Sequence, residues 1–236
     1  MTQNTAPANL ENNDPQTATT QDNTPMGKFI ARLSILTAVL LHPLLMPIYC
    51  AILTLYTVSP YAMIPHAVKT SVMIYVGLYA CINPLVVIGL FLWAGKVSDL
   101  QMPTRKERVW PLICTATVIG LSLFLLTPNN TPRPLFAMVI GEGLLLMAAG
   151  ICSIFWKISL HSAGSGALLA FVSVTGMAYN LDFATWAAAA FIAAFVTAWT
   201  RLYQKAHTPR QLIAGYALGI IVMGLTLNHI MQRPVF

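Results

Sequence analysis

Beyond residue 25 the chain alternates between long apolar runs and short polar breaks. Seven runs stand out, at 31–57, 70–94, 110–127, 134–155, 163–180, 183–200 and 211–231. A helix that crosses a bilayer needs about 20 mainly apolar residues, so the pattern predicts about seven spans. Six is the alternative, with the first run partly re-entrant, because Pro43 and Pro47 fall inside it; Pro84 also interrupts the second run. The breaks carry turn chemistry: Ser59-Pro60, the charged stretch 95–109, Pro128 to Pro134, Asn180-Leu181-Asp182 and 201–210. The fifth run is rich in Gly, Ser and Ala, a composition for close helix packing. The fold class is therefore all-α, a polytopic transmembrane helical bundle. Residues 1–25, rich in Thr, Asn, Gln, Pro and Asp, read as a disordered polar tail. They lack the basic-then-apolar order of a signal peptide. Residues 26–236 form the transmembrane helical domain.

Composition agrees. Hydrophobic residues make up 57% of the 236, and charged residues only 8%. Mean hydropathy is +0.69. A soluble domain carries about 25% charged residues, so the surface implied here needs the lipid bilayer as its partner. The net charge of +6 does not indicate nucleic acid, because so few charges in total fit a membrane protein with basic loops. Cys50, Cys81, Cys114 and Cys152 lie far apart inside apolar runs and read as small fillers. No ligand spacing implies a metal, and no cofactor is expected. Trp110, Trp156, Trp186 and Trp199 sit near run ends, as interfacial aromatics do. Glu142, between Gly141 and Gly143, is the one carboxylate deep in a run. It is either packed between helices or part of a proton or substrate path. A small transporter built on it is disfavoured by the lack of a visible repeat.

The charges have a side. With seven spans, the tail and the loops at 95–109, 156–162 and 201–210 share one face. That face holds Lys28, Arg32, Lys96, Arg105, Lys106, Arg108, Lys157, Arg201, Lys205 and Arg210, against Lys69, Arg133 and Arg233 on the other. Retention of basic loops in the cytoplasm produces such a bias, and so does convergence on an anion. His161 and His207 lie on the basic face, and a topological signal has no use for histidine. His42, His66 and His229 have no such setting and read as interfacial or packing residues.

The third basic loop is the most informative. Thr208 is a good N-cap, Pro209 suits the first helical position and Gln211 completes a Thr-x-x-Gln capping box. His207 is thus predicted just outside a helix N-terminus, where free N–H groups and the helix dipole favour a phosphate.

Arg201, five residues, His207, three residues, Gln211, then Ala214-Gly215-x-x-Leu218-Gly219 resembles the third signature of the type 2 phosphatidic acid phosphatase/haloperoxidase superfamily. Ser159-Leu160-His161-Ser162-Ala163-Gly164 is similar to the second, Pro-Ser-Gly-His, with Ile158 for Pro and Leu160 for Gly. Arg105-Lys106-Glu107-Arg108-Val109-Trp110-Pro111 is a looser relative of the first, with neither basic residue in register with Pro111. The resemblance spans about residues 99–220 and implies a phosphatase-like core at about 95–231. It implies a hydrolase acting on a membrane lipid phosphate or isoprenoid pyrophosphate through a phosphohistidine, in a multi-pass protein of the cell membrane. His207 would be the nucleophile and His161 the acid. Arg201 would clamp the phosphate, with Arg108, Lys106 and Ser159 as further ligands.

Gln211 departs from the family, which has aspartate there to orient the nucleophilic histidine and balance its charge. In serine proteases the equivalent aspartate-to-asparagine change costs about 10⁴ in rate. The resemblance leaves three alternatives: a weak enzyme, another carboxylate (Asp99 or Glu107) in that role, or a catalytically inactive relative that binds lipid headgroups or scaffolds other proteins. Sidedness is also open. Basic loops with seven spans put the motifs in the cytoplasm, whereas the family usually works on the opposite surface; six spans would put them there. Oligomeric state is not legible.

Overall fold

The computed structural model describes residues 24–123 and 131–232. Residues 1–23 of the expected tail, 124–127 at the end of the third apolar run, 128–130 of the break after it, and 233–236, Arg233 among them, lie outside that description. Among the described residues there are ten α-helices and no strand: α1 (Pro25–Leu40), α2 (Met46–Thr57), α3 (Ser59–Ala62), α4 (His66–Gly77), α5 (Asn83–Trp93), α6 (Arg105–Ser122), α7 (Arg133–Phe155), α8 (Leu160–Tyr179), α9 (Phe183–Tyr203) and α10 (Pro209–Met231). A 3₁₀ turn, Pro43–Leu45, joins α1 to α2, and a π turn, Leu78–Ile82, joins α4 to α5.

Where described, all seven apolar runs are mainly helical, but they are not equally fit to span. Five helical stretches are long and apolar enough to cross a membrane: His66–Trp93, α7, α8, Ala184–Tyr203 and α10. The first run is a pair, α1 and Pro43–Thr57, bent by 41°, which makes six if it counts as one span. The bend falls at His42-Pro43, where proline cannot continue the α1 hydrogen-bond ladder. The remaining run, α6, begins with Arg105, Lys106, Glu107 and Arg108, which make its first turn too polar for the bilayer core. Pro84 acts on the second run without breaking it. It lacks an N–H and crowds the carbonyl four residues back, so the ladder widens just upstream, with the Asn83 N–H bonding Leu78 O.

The core is built on α7, α8 and α10. Gly215 and Gly219 let α10 lie on the start of α8. A Cβ on Gly215 would sit 2.5 Å from the Ser159 carbonyl oxygen, and one on Gly219 would collide with the Ala163 carbonyl. Backbone contact of this kind takes the place of the hydrophobic drive that lipid does not supply. Around it Phe171, Met138, Leu135 and Leu227 are fully buried. α1 runs antiparallel to α9, joined by Gln204 Nε2 donating to Ser34 O at 3.1 Å and by Thr37 and Thr200 hydroxyls 2.8 Å apart. The start of α1 and the loops at 95–104, 156–159 and 204–208 therefore share one end of the bundle.

Candidate functional site

That end opens into a cavity of about 1340 Å³, larger than the roughly 300–1,000 Å³ of pockets for drug-sized ligands. Its mouth is polar, with His42, Arg108, His161, Arg201, Lys205 and His207 on the wall. Toward the bundle middle the wall turns apolar, with Pro84, Leu85, Met138, Leu145 and Met223. The shape suits a ligand with a charged head and a long apolar tail.

His207 is placed by the turn between α9 and α10. Lys205 takes a positive φ of 50° and reverses the chain. Thr208 then caps α10 in a complete capping box. Gln211 Oε1 accepts the Thr208 N–H at 3.1 Å and lies 3.1 Å from His207 Nδ1. A backbone N–H bonds only an acceptor, so this atom is the amide oxygen, and the ring nitrogen facing it carries the hydrogen. His207 is thereby held as the Nδ1–H tautomer with its lone pair on Nε2. One oxygen atom thus carries both the capping of α10 and the orientation of the His207 ring. Burial pushes the His207 imidazole down to about 4; the Gln211 hydrogen bond opposes this, and Arg108, Lys157 and Arg201 add to the depression. The ring is neutral at neutral pH, with a free lone pair.

Arg201, in the last turn of α9, is 9% exposed. Its Nη1 donates to Gln204 Oε1 at 2.8 Å, and its Nε is buried without a partner. A buried guanidinium N–H left over in this way is open to an acceptor on a ligand. Arg108 is buried as well, but three of its N–H groups are engaged by the chain. Nε donates to Met102 O at 2.8 Å, Nη1 to Ile158 O at 3.0 Å and Nη2 to Gln101 O at 3.5 Å. It clamps the first and second loops together and still lines the cavity.

Ser159 is the N-cap of α8, its Oγ accepting from the Ser162 N–H at 3.3 Å and the Ser162 hydroxyl at 3.1 Å. Its own N–H donates to Gln211 O at 3.3 Å, so the starts of α8 and α10 are tied together. Two residues on, His161 lines the cavity. Lys106 is exposed on α6 and is not brought to the cavity wall. Its neighbour Arg105 caps the end of α7, donating to Ile154 O and Phe155 O at 3.0 and 2.6 Å. Lys157 is drawn toward the cluster instead, its ammonium held below the lysine range by burial, then by Arg108 and Arg201.

Neither candidate substitute carboxylate serves His207. Glu107 is bound by the Thr104 hydroxyl and by the N–H and hydroxyl of Ser98, which hold it below the usual carboxylate range. Asp99 accepts from the Gln101 N–H. Glu142 does line the cavity, at its inner end, thirteen residues from the last residue of α7 and so about 20 Å along the helix from the mouth. Its Oε2 is buried without a partner.

Sequence reasoning missed His42. It lies at the bend between α1 and α2, with its ring centroid 4.9 Å from that of His161 and the planes at 82°. The available signal was its place beside proline inside an otherwise apolar run, where an ionisable group is a site candidate by default.

A helical membrane protein with a basic, histidine-bearing pocket at one end is the class these features define. The family model of the PAP2 superfamily matches residues 109–234, and the chain belongs to that superfamily. No curated protein and no solved structure matches the chain. The matched segment contains His161, Arg201, His207 and Gln211. It leaves out Arg105 to Arg108 and everything from α1 to α5.

Proposed function

We propose that the protein is a cell-membrane phosphatase that removes a phosphoryl group from a lipid phosphate or isoprenoid pyrophosphate through a phosphohistidine. The observation that carries this reading is the pairing, at the mouth of a lipid-sized cavity, of an imidazole with a fixed Nε2 lone pair and a buried arginine with an unpartnered N–H. His207 Nε2 attacks phosphorus, the bond to the leaving oxygen breaks, and His161, which the charge of the bound phosphate turns into the imidazolium, gives that oxygen its proton. Arg201, with the remaining N–H groups of Arg108, stabilises charge growing on the equatorial oxygens. Water then attacks the phosphohistidine, giving its proton back to His161, and inorganic phosphate leaves.

The test is phosphate release by the purified protein from phosphatidate, phosphatidylglycerophosphate and a polyprenyl diphosphate. Release that His207→Ala and His161→Ala each abolish supports the mechanism; release unchanged in both variants refutes it. One observation favours a second reading, a headgroup-binding relative without turnover: the atom facing His207 Nδ1 is an amide oxygen, with no compensating charge. Headgroup-dependent thermal stabilisation that Arg201→Ala removes, with no phosphate released, would select it.

A further inference from the structure

We propose that His42 is a specificity-determining residue of this site, donating a hydrogen bond to the second phosphoryl group of a diphosphate ligand. This rests on the reading that the cavity mouth takes phosphoryl groups. His42 comes from the bend between α1 and α2, outside the segment that matches the PAP2 superfamily. Its Nδ1 accepts the Leu44 N–H at 3.3 Å, capping the 3₁₀ turn. The neutral ring therefore carries its hydrogen on Nε2, and that N–H is the donor left for a ligand. Pro43 lies against the bare Cα of Gly164, which fixes the bend over the first turn of α8.

The order of the rings sets what this donor can reach. His161 is within electrostatic range of both His42 and His207, and of Arg201. His42 packs edge-on against the His161 ring, and the start of α8, which carries His161, is tied to the start of α10 beside His207 by the Ser159 N–H on Gln211 O. Arg201 acts on His42. His161 thus has His42 against its ring on one side and the α8–α10 tie to His207 on the other, and all three imidazoles line the cavity mouth with Arg201. A monoester phosphate attacked at His207 has its leaving oxygen at His161 and offers nothing charged beyond it. A diphosphate has its bridging oxygen at His161 and a second phosphoryl group on the far side, where His42 stands. A hydrogen bond to a charged phosphate oxygen is among the stronger ones a protein makes.

The experiment measures binding of inorganic phosphate and of pyrophosphate to the full chain in detergent, for wild type, His42→Asn and His42→Gln. Asparagine keeps an oxygen for the Leu44 N–H but removes the Nε2-side donor; glutamine places an amide N–H near the position of Nε2. The expected result is a loss of about tenfold or more in pyrophosphate affinity for His42→Asn, with phosphate changed by less than about twofold, and substantial recovery in His42→Gln. Equal weakening of both anions in His42→Asn, or no weakening of either, overturns the proposal. If wild type binds neither anion, the phosphoryl reading itself falls, a result distinct from failure of the His42 assignment.

Discussion

Between α8 and α10 the backbones touch, glycine against carbonyl, whereas α1 meets α9 through two polar side-chain links. The contrast extends along both elements: twelve residues of α8 are buried, but only Ser34 of α1 is. The first arrangement is stiff, and it holds His161 and His207, the two cavity histidines of the PAP2-matched half. The second is a thin wall, and it carries the cavity's third histidine at its hinge. Chemistry that needs sub-ångström placement belongs on the stiff side, and recognition that must admit a lipid tail is better served by the wall. The comparison predicts that α8–α10 variants act on turnover and folding, and that α1-side variants act on ligand selection.

The largest effect expected is at His207. His207→Ala should lower kcat by about 10⁴ or more, as loss of a nucleophile does, without changing the thermal midpoint by more than a few degrees. Next is the scaffold. Gly219→Val drives a side chain into the Ala163 carbonyl and should cost roughly 3 kcal/mol or more, read as a fall in the thermal midpoint with loss of both histidine placements. An unchanged midpoint would show that α8 and α10 are not in backbone contact.

Gln211→Glu sharpens the comparison from the other direction. Glutamate keeps the capping box and puts a charge beside His207 Nδ1, so kcat should rise by roughly tenfold or more, a fraction of the 10⁴ a full Asp-to-Asn exchange costs elsewhere. The acid limb of the pH–rate profile, set by a His207 value of about 4, should move upward, because a carboxylate favours the imidazolium. Thr37→Val removes one of the two links from α1 to α9 and should cost only about 1 kcal/mol, seen as faster hydrogen exchange in α1 with turnover intact.

The smallest effect is in acid. His207 is harder to protonate folded than unfolded, so stability is complete above about pH 6.5 and falls as the pH drops toward 4. His207→Asn should flatten that slope in a thermal-midpoint series.

What the sequence made legible was local. The Thr208-Pro209-Arg210-Gln211 start of α10 and the place of His207 beside it follow from four adjacent residues, and the apolar runs fix seven helical passages. The number fit to span differed because hydropathy was weighed over runs, whereas α6 carries its charges inside the helix. The roles of the arginines were not legible, because Arg108 is engaged by carbonyls at 102 and 158, and Arg105 by those at 154 and 155. His42 was missed for the same reason, since its partner is 119 positions away and only the bend at Pro43 brings them together.

The central claim is that His207 becomes phosphorylated. The direct measurement is a rapid quench of the purified protein with a radiolabelled polyprenyl diphosphate, followed by mapping of acid-labile, base-stable label. Label on the His207 peptide, absent in His207→Ala, is the predicted result. Turnover without label in wild type, or label that persists in His207→Ala, would contradict it.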